Sequence, residues 1–255
     1  MDKRDWTQLL IVEFLGPFAL VFAGVSAIIA TQGSGLVAIA LAHGLAIGLL
    51  VAAAGHISGG VYNPALAIGL WVSGKLDSAR TIAYIVAELI GATAGAALAR
   101  ACFPRDAVDA VKLGVPSVGP GFSSTNALIM EIVTTFFLMF VVFGVAIDGR
   151  SGSRAIAGLA IGLTITMDIF GGGAVSGAAM NPSRWFGPAV IHGEYSDFWI
   201  WWVGPIVGAV IAALLYSYVL LEEAPIVTTD INPESPRAAP SDERIDARIR
   251  RVVRR

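Results

Sequence analysis

Charged residues and cysteine are scarce in this sequence. Asp, Glu, Lys and Arg make up 14% of the 255 residues, and Cys102 is the only cysteine. A single cysteine excludes an intramolecular disulfide and any metal site built from several cysteines. The net charge is −2 and no basic patch alternates with aromatic residues, so no nucleic-acid partner is expected. There is no Ser/His/Asp arrangement, metal-spaced histidine pair or phosphate loop, so neither an enzyme nor a cofactor is predicted.

Apolar residues, in contrast, are abundant. They make up 56% of the chain, and the mean hydropathy is +0.74, which is more apolar surface than a soluble domain can bury. A helix needs about 20 apolar residues to cross a bilayer. Six runs approach this length, the fifth being short: residues 6–30, 36–54, 79–101, 126–147, 156–170 and 198–221.

The basic residues of the short loops predict the orientation of these spans. Most of them fall on one side of the predicted membrane, and only Arg105 and Lys112 fall clearly on the other. Because Lys and Arg are enriched in cytoplasmic loops, both termini are predicted to be cytoplasmic. The expected location is a multi-pass protein of a prokaryotic inner membrane.

The sequence also contains an internal repeat with a constant offset. Ser58 begins SGGVYNPAL, and 118 residues later Ser176 begins SGAAMNPSRWFGPA. Glu13 and Glu131 are separated by the same offset. The repeats cover approximately residues 6–101 and 124–221, with three spans each. An odd number of spans per repeat makes the two copies antiparallel in the membrane, and inverted repeats of this kind place a shared site near the midplane.

Two apolar segments, residues 63–72 and 181–191, do not fit the six spans. Each is about half the length needed to cross the hydrocarbon layer as a helix. Asparagine is a favoured N-cap and proline suits the first helical turn, so Asn63 and Asn181 are predicted to start two short helices that meet at the bilayer centre. The predicted fold is an all-α membrane protein of six transmembrane helices and two re-entrant half-helices in an inverted repeat.

Three glutamates lie inside predicted spans, at Glu13, Glu88 and Glu131. One interpretation is a proton relay, since ionisable groups inside a membrane are expensive and often functional. The other is that each accepts hydrogen bonds from the backbone of a re-entrant loop. We favour the second, because Glu13 and Glu131 repeat with the loops. Asp168, near the outer end of the fifth span, is expected to reach water or the cations of the loop between the third and fourth spans, and is assigned no role.

The chain divides by composition into two parts. Residues 1–221 are predicted to form one membrane domain. From Glu222 onward the sequence is polar and proline-rich, and residues 222–255 are predicted to be a disordered cytoplasmic tail. The last stretch of this tail has apolar residues at helical spacing, with arginines between them. It is expected either to lie on the inner leaflet or to stay solvated.

Three stretches resemble the signatures of the aquaporin family, the major intrinsic proteins. They are HISGGVYNPA from His56, SGAAMNPSRWFGPA from Ser176 and VEFLGPFALVFAG from Val12. The resemblance covers roughly residues 8–221, and one departure is Ser183, where alanine is usual. It implies a homotetramer in the lipid bilayer, in which each protomer has its own pore for water and small neutral solutes. Asn63 and Asn181 would form the central constriction, at which protons and ions are excluded.

The same resemblance implies a selectivity filter made of His43, Ile169, Ala178 and Arg184. This set is similar to that of plant tonoplast-type members and is wider than in strict water channels. His43 is expected to supply one polar contact besides Arg184, and the filter is expected to pass ammonia, with urea and glycerol less certain. His56 is expected either to hydrogen-bond within its loop or to line the pore.

Two other functions remain open from the sequence. The first is a glycerol or urea facilitator of the same family. Against it, Trp185 and Ala189 stand at the positions where such proteins look acidic and basic, respectively. An ion-coupled secondary transporter is the second, since such proteins also use inverted repeats and half-helices. A transporter needs a membrane-embedded charge for coupling. If the three glutamates are loop braces, they do not provide that charge.

Overall fold

The computed structural model describes residues 5–150 and 153–221. In this part of the chain the regular structure is entirely helical, and six helices are long and apolar enough to cross a membrane. The long helices are α1 (Trp6–Ala30), α2 (Leu36–Ser58), α4 (Ser78–Cys102), α6 (Ser124–Val142), α7 (Ala157–Ser176) and α9 (Ile200–Leu215). Helices α6 and α9 each continue into a π-helical turn, Phe143–Ile147 and Tyr216–Leu220. The predicted tail, residues 222–255, lies outside the described residues.

The two predicted half-helices are present as α3 (Pro64–Val72) and α8 (Pro182–His192). Each begins directly after an asparagine N-cap with proline in its first turn. Helix α3 packs against α9 and α8 packs against α4, while α2 and α7 pack against each other. Each half therefore inserts its short helix against a long helix of the other half. This exchange closes the two repeats around a common centre and confirms the predicted fold class.

The second and fifth spans are longer than predicted. Helix α2 continues from residue 54 to Ser58, and α7 continues from residue 170 to Ser176. Both added segments contain glycine, which weakens a helix in water. Inside a membrane an interrupted helix would leave backbone groups without hydrogen bonds, so the helices continue. Both end at a glycine in the left-handed conformation, Gly59 at φ 107° and Gly177 at φ 81°.

The segment between α4 and α6 contains further structure. It forms the short helix α5 (Arg105–Ala110) and a 3₁₀ turn, Lys112–Gly114. Three successive residues of this turn have positive φ: Lys112 at 48°, Leu113 at 52° and Gly114 at 64°. Leu113 is fully buried. Burial of this side chain fixes the turn against the helices and offsets the strain of its backbone conformation.

Glu13 and Glu131 support the two re-entrant loops in the same way. Glu131 accepts hydrogen bonds from the Ser176 hydroxyl at 2.6 Å and from the backbone N–H groups of Ala179 and Met180 at 2.9 and 2.7 Å. Glu13 accepts the corresponding three bonds from Ser58, Val61 and Tyr62 at 2.5, 3.1 and 2.7 Å. The carboxylates satisfy loop N–H groups that have no other partner in hydrocarbon. This confirms the interpretation of these two glutamates as loop braces.

Replacement of Glu131 by leucine is therefore expected to prevent folding of the channel. It removes three acceptors, and each buried donor left without a partner costs about 1–3 kcal/mol. Glu131→Gln keeps one acceptor oxygen and is expected to be destabilised less. The yield of folded protein and its thermal unfolding in detergent measure the difference. Equal stability of the leucine and glutamine variants would contradict the bracing role.

Candidate functional site

A central cavity of about 210 Å³ lies between the two halves. Both asparagines of the repeat and all four residues of the predicted filter line it. The lining includes Lys75, Arg80, Ala146 and Ile147 near one end, Asn63 and Asn181, and His43, Ile169, Ala178 and Arg184. The structure therefore brings together six of the seven site residues suggested by the sequence. The seventh, His56, lines an adjoining groove along α2 and α7, which shares Ser58 and Gly59 with the cavity.

The side chains of Asn63 and Asn181 are held in matching orientations. The Oδ1 atom of Asn63 accepts a hydrogen bond from the Ala65 N–H at 2.9 Å. The Oδ1 atom of Asn181 accepts from the Ser183 N–H at 2.9 Å and from the Ser183 hydroxyl at 2.7 Å. These bonds satisfy N–H groups of the first helical turn. The unusual Ser183 thus adds a bond that alanine could not make, and both Oδ1 atoms are turned towards their own helices.

The amide nitrogens of the two asparagines connect the opposite loops. Nδ2 of Asn63 donates to the carbonyl of Met180 at 2.8 Å, and Nδ2 of Asn181 donates to the carbonyl of Tyr62 at 2.9 Å. An asparagine amide has two N–H donors, so each side chain retains a second N–H for the cavity that it lines. The repeated asparagines predicted an amide group at the centre of the membrane. They did not predict the hydrogen bonds that join the two re-entrant loops.

Glu88 completes the support of the first half only. Its Oε1 atom accepts a hydrogen bond from the Asn63 N–H at 2.8 Å, while Oε2 has no hydrogen-bond partner among the described residues. The corresponding residue of the second half, 118 positions later, is Ile206. The two halves are therefore chemically different beneath their asparagines, which a search for repeated residues could not detect.

Arg184 lies in the first turn of α8 with 4% of its surface exposed. Its Nη1 atom donates to the carbonyl of Gly114 at 2.9 Å. The left-handed backbone of the Lys112–Gly114 turn brings this carbonyl to the guanidinium. Sequence reasoning missed the contact because the acceptor is a main-chain atom, for which no side-chain pattern exists. The consecutive positive φ angles were also invisible in the sequence.

A surface ion pair links the same turn to the other end of α8. Lys112 Nζ lies 3.1 Å from Oε2 of Glu194, which follows the C-terminus of α8. The Ser196 hydroxyl donates to Oε1 of Glu194 at 2.5 Å. The turn that holds Arg184 at Gly114 is thus tied back to the helix that carries Arg184. Because the Lys112 side chain is 60% exposed, the pair contributes little to stability on its own.

The pH dependence of this pair follows from the pKa of Glu194. Hydrogen bonds from Ser196 and the nearby Lys112 lower that pKa from 4.5 to about 2. A lowered pKa in the folded protein stabilises it above the unfolded value, and this stabilisation is lost as pH falls towards the folded value. The melting temperatures of the parent and of Glu194→Gln are expected to differ by about 2 °C or less above about pH 5. The difference should shrink only under stronger acid, and a change near neutral pH would contradict the assignment.

The four filter residues lie together, and the two ring nitrogens of His43 have different surroundings. Its Nδ1 atom donates to the carbonyl of Ile39 at 2.8 Å, since a carbonyl oxygen can only accept. Its Nε2 atom is buried and has no hydrogen-bond partner among the described residues. Nδ1 is therefore engaged within α2, whereas Nε2 has no such bond, and the expected polar contact from His43 to a solute stays a prediction. Ile169 and Ala178 are also buried and are apolar, so Arg184 is the charged side chain of the predicted filter.

Asp168 is placed differently from the expectation. Only 4% of its surface is exposed, whereas the sequence suggested that it reaches water. Its Oδ2 atom has no hydrogen-bond partner among the described residues. Asp168 is next to Ile169 in the chain but is not among the residues that line the central cavity.

Comparisons with known proteins agree with this architecture. The chain is 37% identical over 235 residues to the probable aquaporin TIP1-2 of Oryza sativa subsp. japonica, which covers 88% of this chain and 91% of the relative. It is 40% identical over 235 residues to aquaporin TIP2-1 of Arabidopsis thaliana, covering 86% and 91%. The X-ray structure of the aquaglyceroporin from Plasmodium falciparum superposes with a TM-score of 0.75 at 28% identity, covering 84% of this chain and 97% of that chain.

The family-level comparison covers nearly all of the described residues. A model of the family described as Major intrinsic protein matches residues 1–216. This range includes both half-helices, both asparagines and every residue that lines the central cavity. The chain belongs to the major intrinsic protein family, the aquaporins.

Proposed function

We propose that this protein is a passive channel that conducts water and small neutral solutes such as ammonia while excluding protons and ions. Members of its family are membrane channels, not enzymes. The observation that carries the proposal is the single cavity lined by Asn63, Asn181 and Arg184. A water molecule in this cavity meets N–H donors at the asparagines and a cation at Arg184.

Exclusion of protons and cations would arise from two sources of positive electrostatic potential. The N-termini of α3 and α8 each carry about half a positive charge from the helix dipole, and both begin at the asparagines. Two amide donors that bind one water oxygen would orient its hydrogens outward and interrupt a chain of proton transfer, as in aquaporin-type pores generally. Arg184 would add a full charge at one end of the cavity. We propose Asn63 and Asn181 as the central constriction on this basis.

The filter supports passage of neutral solutes besides water. Ile169 and Ala178 are apolar, Nδ1 of His43 is bonded to the Ile39 carbonyl, and Nε2 is packed against Gly24. A filter with one charged group and three largely apolar surfaces has few hydrogen bonds to offer to a polar solute. It is therefore expected to discriminate by size more than by hydrogen bonding, which favours ammonia.

Two alternatives can be compared with the contacts. The aquaglyceroporin neighbour keeps a glycerol or urea facilitator under consideration, but its similarity does not extend to the solute. Coupled transport needs an embedded charge that changes partners during the cycle. Glu13 and Glu131 each accept three hydrogen bonds within the fold, which leaves them unsuited to that task.

The assembly and orientation are proposed on separate grounds. A homotetramer is proposed from the family alone. Cytoplasmic termini are proposed from the distribution of lysine and arginine, which also places Lys75 and Arg80 at the cytoplasmic end of the cavity. The described relatives are plant proteins, and they give no support to the expectation of a prokaryotic inner membrane.

A solute series on proteoliposomes tests the proposed range. Ammonia is expected to cross with water, and His43→Phe is expected to reduce ammonia flux more than water flux because a larger ring narrows the filter. A difference of about threefold between the two reductions is expected, since selectivity depends on the pore diameter. An equal reduction of both fluxes would contradict a filter wider than that of a strict water channel.

A further inference from the structure

Gly24 of α1 lies against the imidazole of His43. A methyl group built at Gly24 would overlap Nε2, Cε1 and Cδ2 of the ring, with no other neighbour nearer. Gly24 is buried in the middle of α1, and glycine is not needed there for its backbone angles, since it is in regular helix. The absence of a side chain at Gly24 therefore leaves room for one edge of the His43 ring.

The position of the His43 ring is determined by contacts at both of its edges. Nδ1 is bonded to the carbonyl of Ile39 on its own helix at 2.8 Å. Nε2 is packed at Gly24, buried and without a hydrogen-bond partner among the described residues. A buried nitrogen without a partner costs free energy. The ring can take this position only because the space at Gly24 is available. The ring still lines the cavity, but its Nε2 edge is directed at α1.

We propose that Gly24 determines the width and polarity of the filter by accommodating the His43 ring against α1. A side chain at position 24 would force the ring to move into the cavity. This displacement would narrow the filter and turn Nε2 towards passing solutes. Gly24 would thus be a specificity-determining residue that does not itself need to contact the solute. The inference rests on the proposed function of the filter. It adds to the four filter residues a fifth one, Gly24, which lies on α1.

The second half of the repeat shows the alternative arrangement. The residues corresponding to Gly24 and His43, 118 positions later, are Val142 and Ile161. Both of these side chains line the cavity. A branched side chain at this position is thus compatible with the fold, while its partner remains at the cavity. The space at Gly24 is therefore specific to the half that carries the histidine.

The test is Gly24→Ala in the full-length protein, reconstituted in liposomes. Water permeability is expected to fall by at least about threefold, and permeability to ammonia by more, because a displaced ring reduces the narrowest diameter. Gly171→Ala is the matched control, since Gly171 also lies in a transmembrane helix and a methyl group there meets nothing within 4 Å. The control is expected to conduct like the parent.

A double variant separates the effect of the ring from a general disturbance of packing. In a His43→Ala background the added methyl group meets no ring, so Gly24→Ala is expected to change water flux by less than about 1.5-fold, as for non-coupled sites. Equal effects of Gly24→Ala in both backgrounds would overturn the proposal. It would also be overturned if Gly24→Ala failed to fold while the double variant folded, because the ring would then have no path into the cavity.

An experimental structure of Gly24→Ala gives a readout independent of transport. The proposal requires the His43 ring to move towards the cavity axis. A ring left in place, with α1 and α2 moved apart, would overturn it. If the parent protein conducts no water, the proposed function fails, but the ring position still decides the inference about Gly24.

Discussion

Replacement of Arg184 by valine is expected to make the channel leak cations while its fold is retained. At a distance of about 5 Å and an effective dielectric constant of about 20, one positive charge opposes a cation by about 3 kcal/mol. Loss of that barrier corresponds to an increase of about 100-fold in cation entry. Proton and sodium flux into proteoliposomes, measured under an imposed gradient, gives the result.

Arg184→Lys is the matched control for this change. It keeps the charge but loses the planar guanidinium that donates to the carbonyl of Gly114. Cation leak is therefore expected to stay near that of the parent, with any change confined to solute selectivity. A valine variant as impermeable to ions as the parent would show that the helix N-termini at Asn63 and Asn181 suffice for exclusion.

Ala178→Cys is expected to create a channel that mercurials block almost completely. Ala178 lines the cavity beside the predicted filter, and its side chain is 2% exposed. A mercury atom bound to sulfur at this position would occupy the space through which water passes. Cysteine and alanine have the same Cβ requirement at the φ angle of 43°, so the substitution itself adds no backbone strain. A thiol reductant should restore the flux.

The unmodified protein is the control for the mercurial experiment. Its only cysteine, Cys102, is exposed at the end of α4 and is not among the residues that line the cavity. Its water flux is expected to resist mercurials. Strong inhibition of the parent would mean either that Cys102 reaches the pore or that the assignment of the filter residues is wrong.

The architecture could be predicted because it depends on local patterns in the sequence. Apolar runs of sufficient length indicated the six spans, and the 118-residue offset between Asn63 and Asn181 indicated an inverted repeat. Both half-helices begin where asparagine and proline predicted. The glutamates could be interpreted because the re-entrant loops needed acceptors and Glu13 and Glu131 repeat with those loops.

The remaining features depend on contacts that have no residue pattern. The carbonyl of Gly114 reaches Arg184 through a backbone turn whose φ angles the sequence does not specify. The orientation of His43 depends on the absence of a side chain at Gly24, on another helix. Glu88 has no counterpart in the second half, so that a comparison of repeats could not assign its bond to Asn63. Each of these arrangements requires knowledge of which elements pack together.

The central claim is that the cavity between the two halves conducts water. Stopped-flow measurement of osmotic shrinkage in proteoliposomes tests it most directly, with folding and insertion verified on the same sample. The account predicts faster shrinkage than in empty liposomes, with an activation energy lowered towards that of free diffusion in water. Shrinkage at the rate of empty liposomes, by folded and inserted protein, would contradict it.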